Sequence, residues 1–261
     1  MYYCGIDIGS ITAKCVILKN EEIVASVVAF RGYNNADAAT SVLEEAMGLA
    51  GIMKNEIDRI ISTGYGRAAV REAQQQFTEI SCHALGASHL VSGAATVIDV
   101  GEQDCKAISI DSVGKVQDFV MNDKCAAGTG RFLEVMAHAL EVDLNDFGNL
   151  SLKATGRAEI SNMCTVFAES EVISRIASGV PREEVIAGIH DAMASRIASM
   201  AARVDIRLKI VLTGGVSKNI GLVRALEQNL GHRLEVPTQA QIAGALGAAL
   251  MAKKTLAAEV S

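Results

Sequence analysis

The apolar positions of this chain change period several times, and each change marks an element. Tyr2–Ile8 runs apolar into Gly9-Ser10, which predicts a strand entering a glycine turn. Residues 13–18 and 23–30 predict two further strands, with Lys19-Asn20-Glu21-Glu22 as their hairpin turn. Residues 37–49 switch to helical spacing, with Val42, Leu43, Ala46 and Leu49 on one face. Residues 57–62 predict a short strand ending in Thr63-Gly64-Tyr65-Gly66-Arg67, and residues 68–76 a helix.

The plan then repeats. Thr96–Val100 predicts a strand into the turn Gly101-Glu102-Gln103-Asp104. Strands follow at 105–110 and 116–121, joined by a turn at 111–114. Asp7 and Asp99 stand 92 residues apart in matching contexts, which points to an internal structural duplication. Residues 128–140, 165–178 and 183–204 then carry apolar residues at three- and four-residue spacing. A buried strand at 207–212 enters Thr213-Gly214-Gly215-Val216-Ser217, a helix covers 220–229, and a short strand at 234–236 precedes Pro237. A small-residue helix from about 240 to 254 closes the pattern. The expected fold class is α/β, with residues 1–95 as a first lobe, helix 240–261 packing back on it, and 96–239 as a second lobe.

Composition narrows the function classes. With 261 residues, half of them hydrophobic, the chain can bury one large core or two smaller ones. Two prolines against 23 glycines fit regular elements joined by tight turns. A formal net charge of -6 disfavours a nucleic-acid partner. The start shows no secretion pattern. The small-apolar run 242–252 is interrupted by Gly244 and Gly247 and is too short to span a bilayer. A cytoplasmic protein without membrane contact is expected.

Six cysteines occur, at positions 4, 15, 82, 105, 125 and 164, with no CxxC pair among them. That spacing rules out a single-chain zinc ribbon or ferredoxin-type run. Cys4, Cys15, Cys82 and Cys105 fall in strand or loop patterns and read as core thiols. Cys125 and Cys164 each precede a segment that reads as a helix start. Two thiolates cannot complete a four-ligand centre, whereas two copies of the chain supply four. His83, beside Cys82, reads as a core or interface histidine.

Two Asp-x-Gly turns after strands suit a phosphate cleft between related lobes. Glycine lets backbone N–H groups approach an oxyanion. Asp7-Ile8-Gly9-Ser10 adds the hydroxyls of Ser10 and Thr12 and the charge of Lys14; Asp7 and Asp99 are placed to hold the waters of a magnesium ion. Gly214 and Gly215 allow an adenine–ribose to lie against backbone, or simply form a tight strand-to-helix turn. Neither turn matches GxxxxGK[ST] or GxGxxG, so P-loop and dinucleotide folds lose support.

Together, Asp7-Ile8-Gly9-Ser10, Asp99-Val100-Gly101 and Gly214-Gly215-Val216 resemble the phosphate and adenosine motifs of the actin–hexokinase–acetate kinase superfamily. The strings NDKCAAGTGRFLE (122–134), CTVFAESEVIS (164–174), STGYGR (62–67), EISCHALGA (79–87) and GALGAAL (244–250) narrow this. They resemble the ATP-dependent activators of 2-hydroxyacyl-CoA dehydratases, the group that includes benzoyl-CoA reductase ATPase subunits. The resemblance implies a two-lobed actin-like ATPase (ribonuclease H-like) fold with duplicated βββαβα-type subdomains. It implies an oxygen-sensitive homodimer of anaerobic metabolism with one [4Fe–4S] cluster between its subunits, held by Cys125 and Cys164. ATP hydrolysis, with Mg2+, would drive one low-potential electron from ferredoxin or flavodoxin to a partner iron–sulfur protein. That partner would be a 2-hydroxyacyl-CoA dehydratase, an aryl-CoA reductase or a double-cubane reductase. Ser10, Thr12, Ala13, Lys14, Gly101, Gln103, Asp104, Gly214, Gly215 and Gln241 would line the nucleotide, beside Asp7, Gly9, Asp99 and Val216 of the same turns. Gln103, Asp104 and Glu102 are the candidates for positioning the hydrolytic water.

One departure stands out. The family has Gly-Gly-Gln-Asp in the second turn, and this chain has Gly101-Glu102-Gln103-Asp104. Glu102 brings a carboxylate near the β- and γ-phosphates, with magnesium, a water or open solvent as its company. The cysteine spacing carries a further expectation. Cys125 is followed by Ala126-Ala127-Gly128, so the first N–H groups of the next helix are expected to point at the cluster. A helix amino end carries roughly half a positive charge, and each ~59 mV on a one-electron centre is about 1.4 kcal/mol. Two other readings share the nucleotide site: a small-molecule kinase of the same superfamily, and a non-redox ATPase scaffold. At 261 residues the chain is expected to be close to the minimal two-lobe core, which disfavours a sugar kinase.

Overall fold

The computed structural model describes residues 1–161 and 164–260. Asn162 and Met163 of the Cys164 string, and Ser261 of the closing helix, lie outside the described residues. Two compact units result. The first holds Met1–Ala95, Ile110–Gln117 and the chain from Pro237; the second holds Thr96–Ser109 and Asp118–Val236.

In the first unit, β1 (Tyr2–Ile8), β2 (Thr12–Lys19) and β3 (Glu22–Phe30) form an antiparallel meander. The sheet is extended by β4 (Ile57–Thr63), parallel to β1, and by β5 (Gln75–Gln76), parallel to β4. Helix α1 (Asn35–Ala50) begins at Asn34, whose side chain accepts from Ala36 N, and ends at Gly51 in the left-handed region. Strand alternation sends Cys4, Ile6 and Ile8 to one face, where they meet Val42, Leu43 and Ala46 of α1. Tyr3 packs on the opposite face, against α2 (Glu79–Leu90) and a final helix (Ala243–Val260). Cys82 lies on α2 rather than in the expected strand or loop, because Thr78 caps a helix there by accepting from Ser81 N.

Residues 68–76 were expected to be helical, and they are not. A short turn at Arg67–Ala69 leads into β5. Gln74 explains the outcome: its N–H donates to Ile60 O at 3.0 Å and its side-chain oxygen accepts from Ile60 N at 2.6 Å. Pairing with β4 overrides a helix-compatible composition.

The second unit repeats the plan. Its sheet holds β6 (Thr96–Val100), β7 (Cys105–Ile110), β8 (Val116–Asn122), β9 (Ile210–Thr213) and β10 (Leu234–Glu235). The strand orders are β3-β2-β1-β4-β5 and β10-β9-β6-β7-β8, the same sequence of roles in each. Between β8 and β9 the chain inserts α3 (Gly130–Ala139), α4 (Leu144–Ser151), α5 (Thr165–Ala177) and α6 (Arg182–Ala201); α7 (Ile220–Leu230) follows β9. The first strand-to-helix unit of the sequence expectation is thus duplicated, with extra helices in the second copy. Helix α4 was not expected; Asp143 caps it by accepting from Asn145 N at 2.8 Å. Phe132, Leu133, Phe147, Val172, Val185 and Ile189 pack these helices on Ile98 and Leu212 of the sheet. No helix among the described residues is long and apolar enough to cross a membrane.

The first ten residues of the closing helix, α8 (Ala243–Val260), are apolar and almost all buried, and glycines let it approach closely. A Cβ on Gly5 would fall 2.0 Å from Ala245 O, one on Gly86 1.9 Å from Ala243 O, and one on Gly247 1.8 Å from Cys82 O. Gly247→Ala is therefore expected to cost about 1–3 kcal/mol by overpacking backbone against backbone. Gly48→Ala, in α1 with nothing within 4 Å of its Cβ, is expected to gain up to about 1 kcal/mol. Urea unfolding of the two variants should move the midpoint in opposite directions; a shared direction would contradict this packing.

Candidate functional site

The first Asp-x-Gly turn closes with Gly9 N donating to Thr12 O at 3.0 Å. Asp7, only 3% exposed, sits opposite Lys14 in the β1–β2 register, and Lys14 Nζ approaches Asp7 Oδ2 at 3.3 Å. Ser10, Thr12 and Lys14 keep part of their surface, whereas Ala13 is fully buried in the core and offers only backbone. The STGYGR string folds onto this turn. Gly64 has φ +86°, and a Cβ there would lie 2.3 Å from Asp7 Oδ1 and 2.6 Å from Ile8 O. Gly66 N donates to Ile8 O at 2.8 Å. These glycines are packing requirements of the phosphate turn. Gly244 of α8 also abuts the carboxylate: a Cβ there would meet Asp7 Oδ2 at 3.0 Å and His83 Nε2 at 2.8 Å.

The second turn is a close structural copy. Gly101 N donates to Asp104 O at 2.9 Å. Asp99, 2% exposed, pairs in register with Lys106, whose Nζ lies 3.4 Å from Asp99 Oδ2 and 2.7 Å from Asp104 Oδ1. Gly214, at φ +89°, matches Gly64: a Cβ there would fall 2.2 Å from Val100 O. The first glycine of the pair thus answers to the end of β6, while Gly215 is exposed and remains available to a ligand. Thr213 Oγ1 donates to Asp99 Oδ1 at 2.7 Å. Lys106 and Thr213 escaped the sequence reading. The signal for Lys106 was present, because Asp7/Lys14 and Asp99/Lys106 share one seven-residue spacing.

The departure at Glu102 has a defined place. Its side chain turns toward α3, where a Cβ on Gly130 would lie 2.6 Å from Glu102 Oε2. Burial, and then the neighbouring Glu134 carboxyl, push its pKa up to about 8, while Arg131 pulls it down. Gln103 is exposed, Gln241 is half-buried on the turn before α8, and Val216 packs toward Gly130.

The Cys125 loop joins this turn. Cys125 N donates to Asn122 Oδ1 at 3.2 Å, and Asn122 Nδ2 donates to Cys125 O and Ala127 O. Thr129 N donates to Ala126 O, then Gly130 N donates to Gly101 O at 2.8 Å and Arg131 N to Glu102 O at 2.9 Å. This corrects the expectation that the first N–H groups of α3 face a cluster: Gly130 and Arg131 donate to the phosphate turn. Cys164 is itself the residue that opens α5. Glu171 on α5 accepts from Ser161 N at 2.5 Å and pairs with Arg175, tying Ser161 to that helix.

Burial sorts the six cysteines. Cys4, Cys15, Cys82 and Cys105 are at most 1% exposed, and Cys125 and Cys164 are half-buried. The Cys15 thiol beside it, and burial, hold Cys4 well above its ordinary value; burial pushes Cys82 up to about 12 and Cys105 higher still. Thiols held protonated are poor ligands. The accessible pair has the soft donors that iron–sulfur chemistry needs, and no single chain gathers three metal-ligating side chains among the described residues. In each unit a cross-strand lysine orients the aspartate of its own turn, Lys14 for Asp7 and Lys106 for Asp99.

Residues 4–252 match the model of the BadF/BadG/BcrA/BcrD ATPase family. The chain belongs to that family. Relatives of the family match it nearly end to end. The activator of lactoyl-CoA dehydratase of Anaerotignum propionicum is 48% identical, with 97% of each chain covered. The solved structure of the Acidaminococcus fermentans (R)-2-hydroxyglutaryl-CoA dehydratase component A is 46% identical with a TM-score of 0.95, covering 98% of this chain and 99% of that one. The activator of the 2-hydroxyisocaproyl-CoA dehydratase from Clostridium difficile, solved with bound ADPNP, is 42% identical with a TM-score of 0.93, covering 100% and 97%. The fold is the two-lobed actin-like ATPase fold, and this BadF/BadG/BcrA/BcrD-family chain is an ATPase.

The duplicated ion pairs differ in burial. The Lys106 side chain is 3% exposed and faces two carboxylates; that of Lys14 is 14% exposed and faces one. Lys106→Met strands Asp99 in the interior and is expected to cost about 3–5 kcal/mol. Lys14→Met should cost clearly less and weaken ATP binding instead. Urea midpoints and nucleotide titration check the pair; equal stability losses would refute the assignment of Lys106 as structural.

Proposed function

We propose that this ATPase is an electron activator that works as a homodimer. Cys125 and Cys164 of each subunit would hold one [4Fe–4S] cluster, and ATP hydrolysis would be coupled to passing one electron from a ferredoxin or flavodoxin to a partner iron–sulfur dehydratase or reductase. The observation that carries this reading is the hydrogen-bonded path from the second phosphate turn to the Cys125 loop.

The chain's own residues divide the work. Ser10, Thr12 and Lys14 present hydroxyls and a charge for phosphate oxygens. Gly101, Gln103 and Asp104 form the second turn, with Gln103 exposed to meet a water. Movement of that turn reaches α3 directly, because the carbonyls of Gly101 and Glu102 hold its first N–H groups. The loop ahead of α3 carries Cys125 and is braced at its other end by Asn122. The bound cluster supplies one-electron chemistry at low potential. On α5, Val166 and Phe167, within one turn of Cys164, and Ile173 further along are more than half exposed; exposed apolar side chains on this helix fit a subunit contact. The relatives' names, which refer to dehydratase activation, support the choice of partner class.

Anaerobic purification with iron and sulfide analysis tests the proposal. The parent should carry about four irons per dimer. Cys125→Ala and Cys164→Ala should each lose them while ATP affinity stays within about twofold, since neither cysteine side chain belongs to a phosphate turn and the linking hydrogen bonds are backbone to backbone. A parent that stays iron-free after anaerobic reconstitution, or cysteine variants with full iron content, would sink it.

A further inference from the structure

Glu102 is the residue that sets this chain's second phosphate turn apart, and its surroundings give it a task. Gly130, the first residue of α3, lies under its carboxyl, so close that a Cβ would stand 2.6 Å from Oε2 and 3.2 Å from Glu102 Cα. From α3, Glu134 and Arg131 face it. The 215–218 turn brings only the apolar Val216 to the same glycine. On its own turn the nearby carboxylate, Asp104, is held by Lys106. Among the described residues Glu102 Oε1 is buried with no hydrogen-bond partner. Glu134 Oε2 has Arg131 Nη1 at 3.0 Å.

Two carboxyls within hydrogen-bonding reach cannot both be ionised without strong repulsion. Arg131 Nη1 pairs with Glu134 at 3.0 Å, whereas Glu102 Oε1 is buried with no partner, so the proton belongs on Glu102, where it removes an unpartnered buried anion. We propose that the Glu102 carboxyl donates a hydrogen bond to the Glu134 carboxylate, and that this pair is a proton-dependent latch fastening the second phosphate turn to α3. The latch adds a side-chain link to the two backbone bonds, Gly130 N to Gly101 O and Arg131 N to Glu102 O. Glu102 is then a positioning residue. It stiffens the connection through which phosphate state reaches the Cys125 loop, and so the inference rests on the nucleotide-turn reading above.

The sign of the pH dependence follows. A carboxyl whose folded pKa lies above its unfolded one stabilises the fold at low pH and loses that contribution as pH rises through the folded value. Here that value is about 8, so the latch holds at neutral pH and releases above it.

Hydrogen exchange of the Gly130 and Arg131 amides, read by mass spectrometry on the full-length chain with ADP, tests the latch. After correction for intrinsic exchange, protection in the wild type should fall by up to about tenfold from one pH unit below the Glu102 value to one unit above. Glu102→Gln should show no such fall, because its amide donates to Glu134 at any pH. Glu134→Gln should also stay flat, and it serves as the second variant should the first fail to fold. A flat wild-type profile, or glutamine variants that lose protection in parallel with the wild type, overturns the latch. The readout needs neither iron nor partner, so its failure and failure of the electron-activator reading are separable.

Discussion

Three chain segments of the second unit, β7, α3 and the Thr213-Gly214 end of β9, converge on the end of β6, and the rest of that unit depends on how they share it. Gly214 lies flat on the Val100 carbonyl, α3 donates to the carbonyls of Gly101 and Glu102, and Lys106 and Thr213 hold the two oxygens of Asp99. Each contact excludes alternatives. A side chain at 214 would strike backbone, and an unpaired Asp99 would be a buried charge. A satisfied polar network of this kind rigidifies its surroundings because any missing member leaves a costly orphan. The phosphate turn is therefore held from behind and on both flanks, with the exposed Gln103 at its tip.

The two copies differ in how far each lysine is sealed in. The backbone closure, the left-handed glycine and the cross-strand Asp–Lys pair recur in both units. In the second copy the lysine is sealed between two carboxylates; in the first it keeps an open side and one partner. Desolvation makes the sealed ammonium a structural counter-ion. The open one, on the proposed reading, would be free to meet a phosphate oxygen. One repeated scaffold thus places chemically identical residues in different degrees of burial.

Much of this was legible in the chain. Strands ending in Asp-x-Gly mark both turns, and the spacing of 92 residues between Asp7 and Asp99 marks the repeat. These signals are local: a glycine at a strand end constrains only its neighbours. What stayed hidden depends on distant partners. Gln74 abandons a helix because Ile60 offers a sheet edge. Gly64 and Gly214 are glycine because of carbonyls on strands far away in sequence. The inward turn of Glu102 depends on Gly130 and Glu134 of α3, which no reading of the turn alone contains. Cys125 and Cys164 were separable from the other thiols by their strings, and burial supplies the physical reason for the same division.

The destination of the α3 N–H groups changes how nucleotide state is communicated. Had they faced the proposed cluster, the helix dipole itself would tune its potential, and a small rotation would suffice. Two of them are instead committed to Gly101 and Glu102, so the dipole end of α3 stabilises the phosphate turn and leaves less positive potential for Cys125. Of the two helices that follow the cysteines, α5 is the one that Cys164 opens directly, with no intervening turn. In the proposed activator, a dipolar influence on the thiolates would fall to α5, while α3 would act as a lever pinned to the second turn at one end of the Cys125 loop. Hydrogen bonds of 2.8 and 2.9 Å transmit displacement within one rigid unit, whereas a dipole acts through space and weakens within a turn of the helix end. For the proposed activator, the coupling these contacts would support is mechanical on the Cys125 side and electrostatic on the Cys164 side.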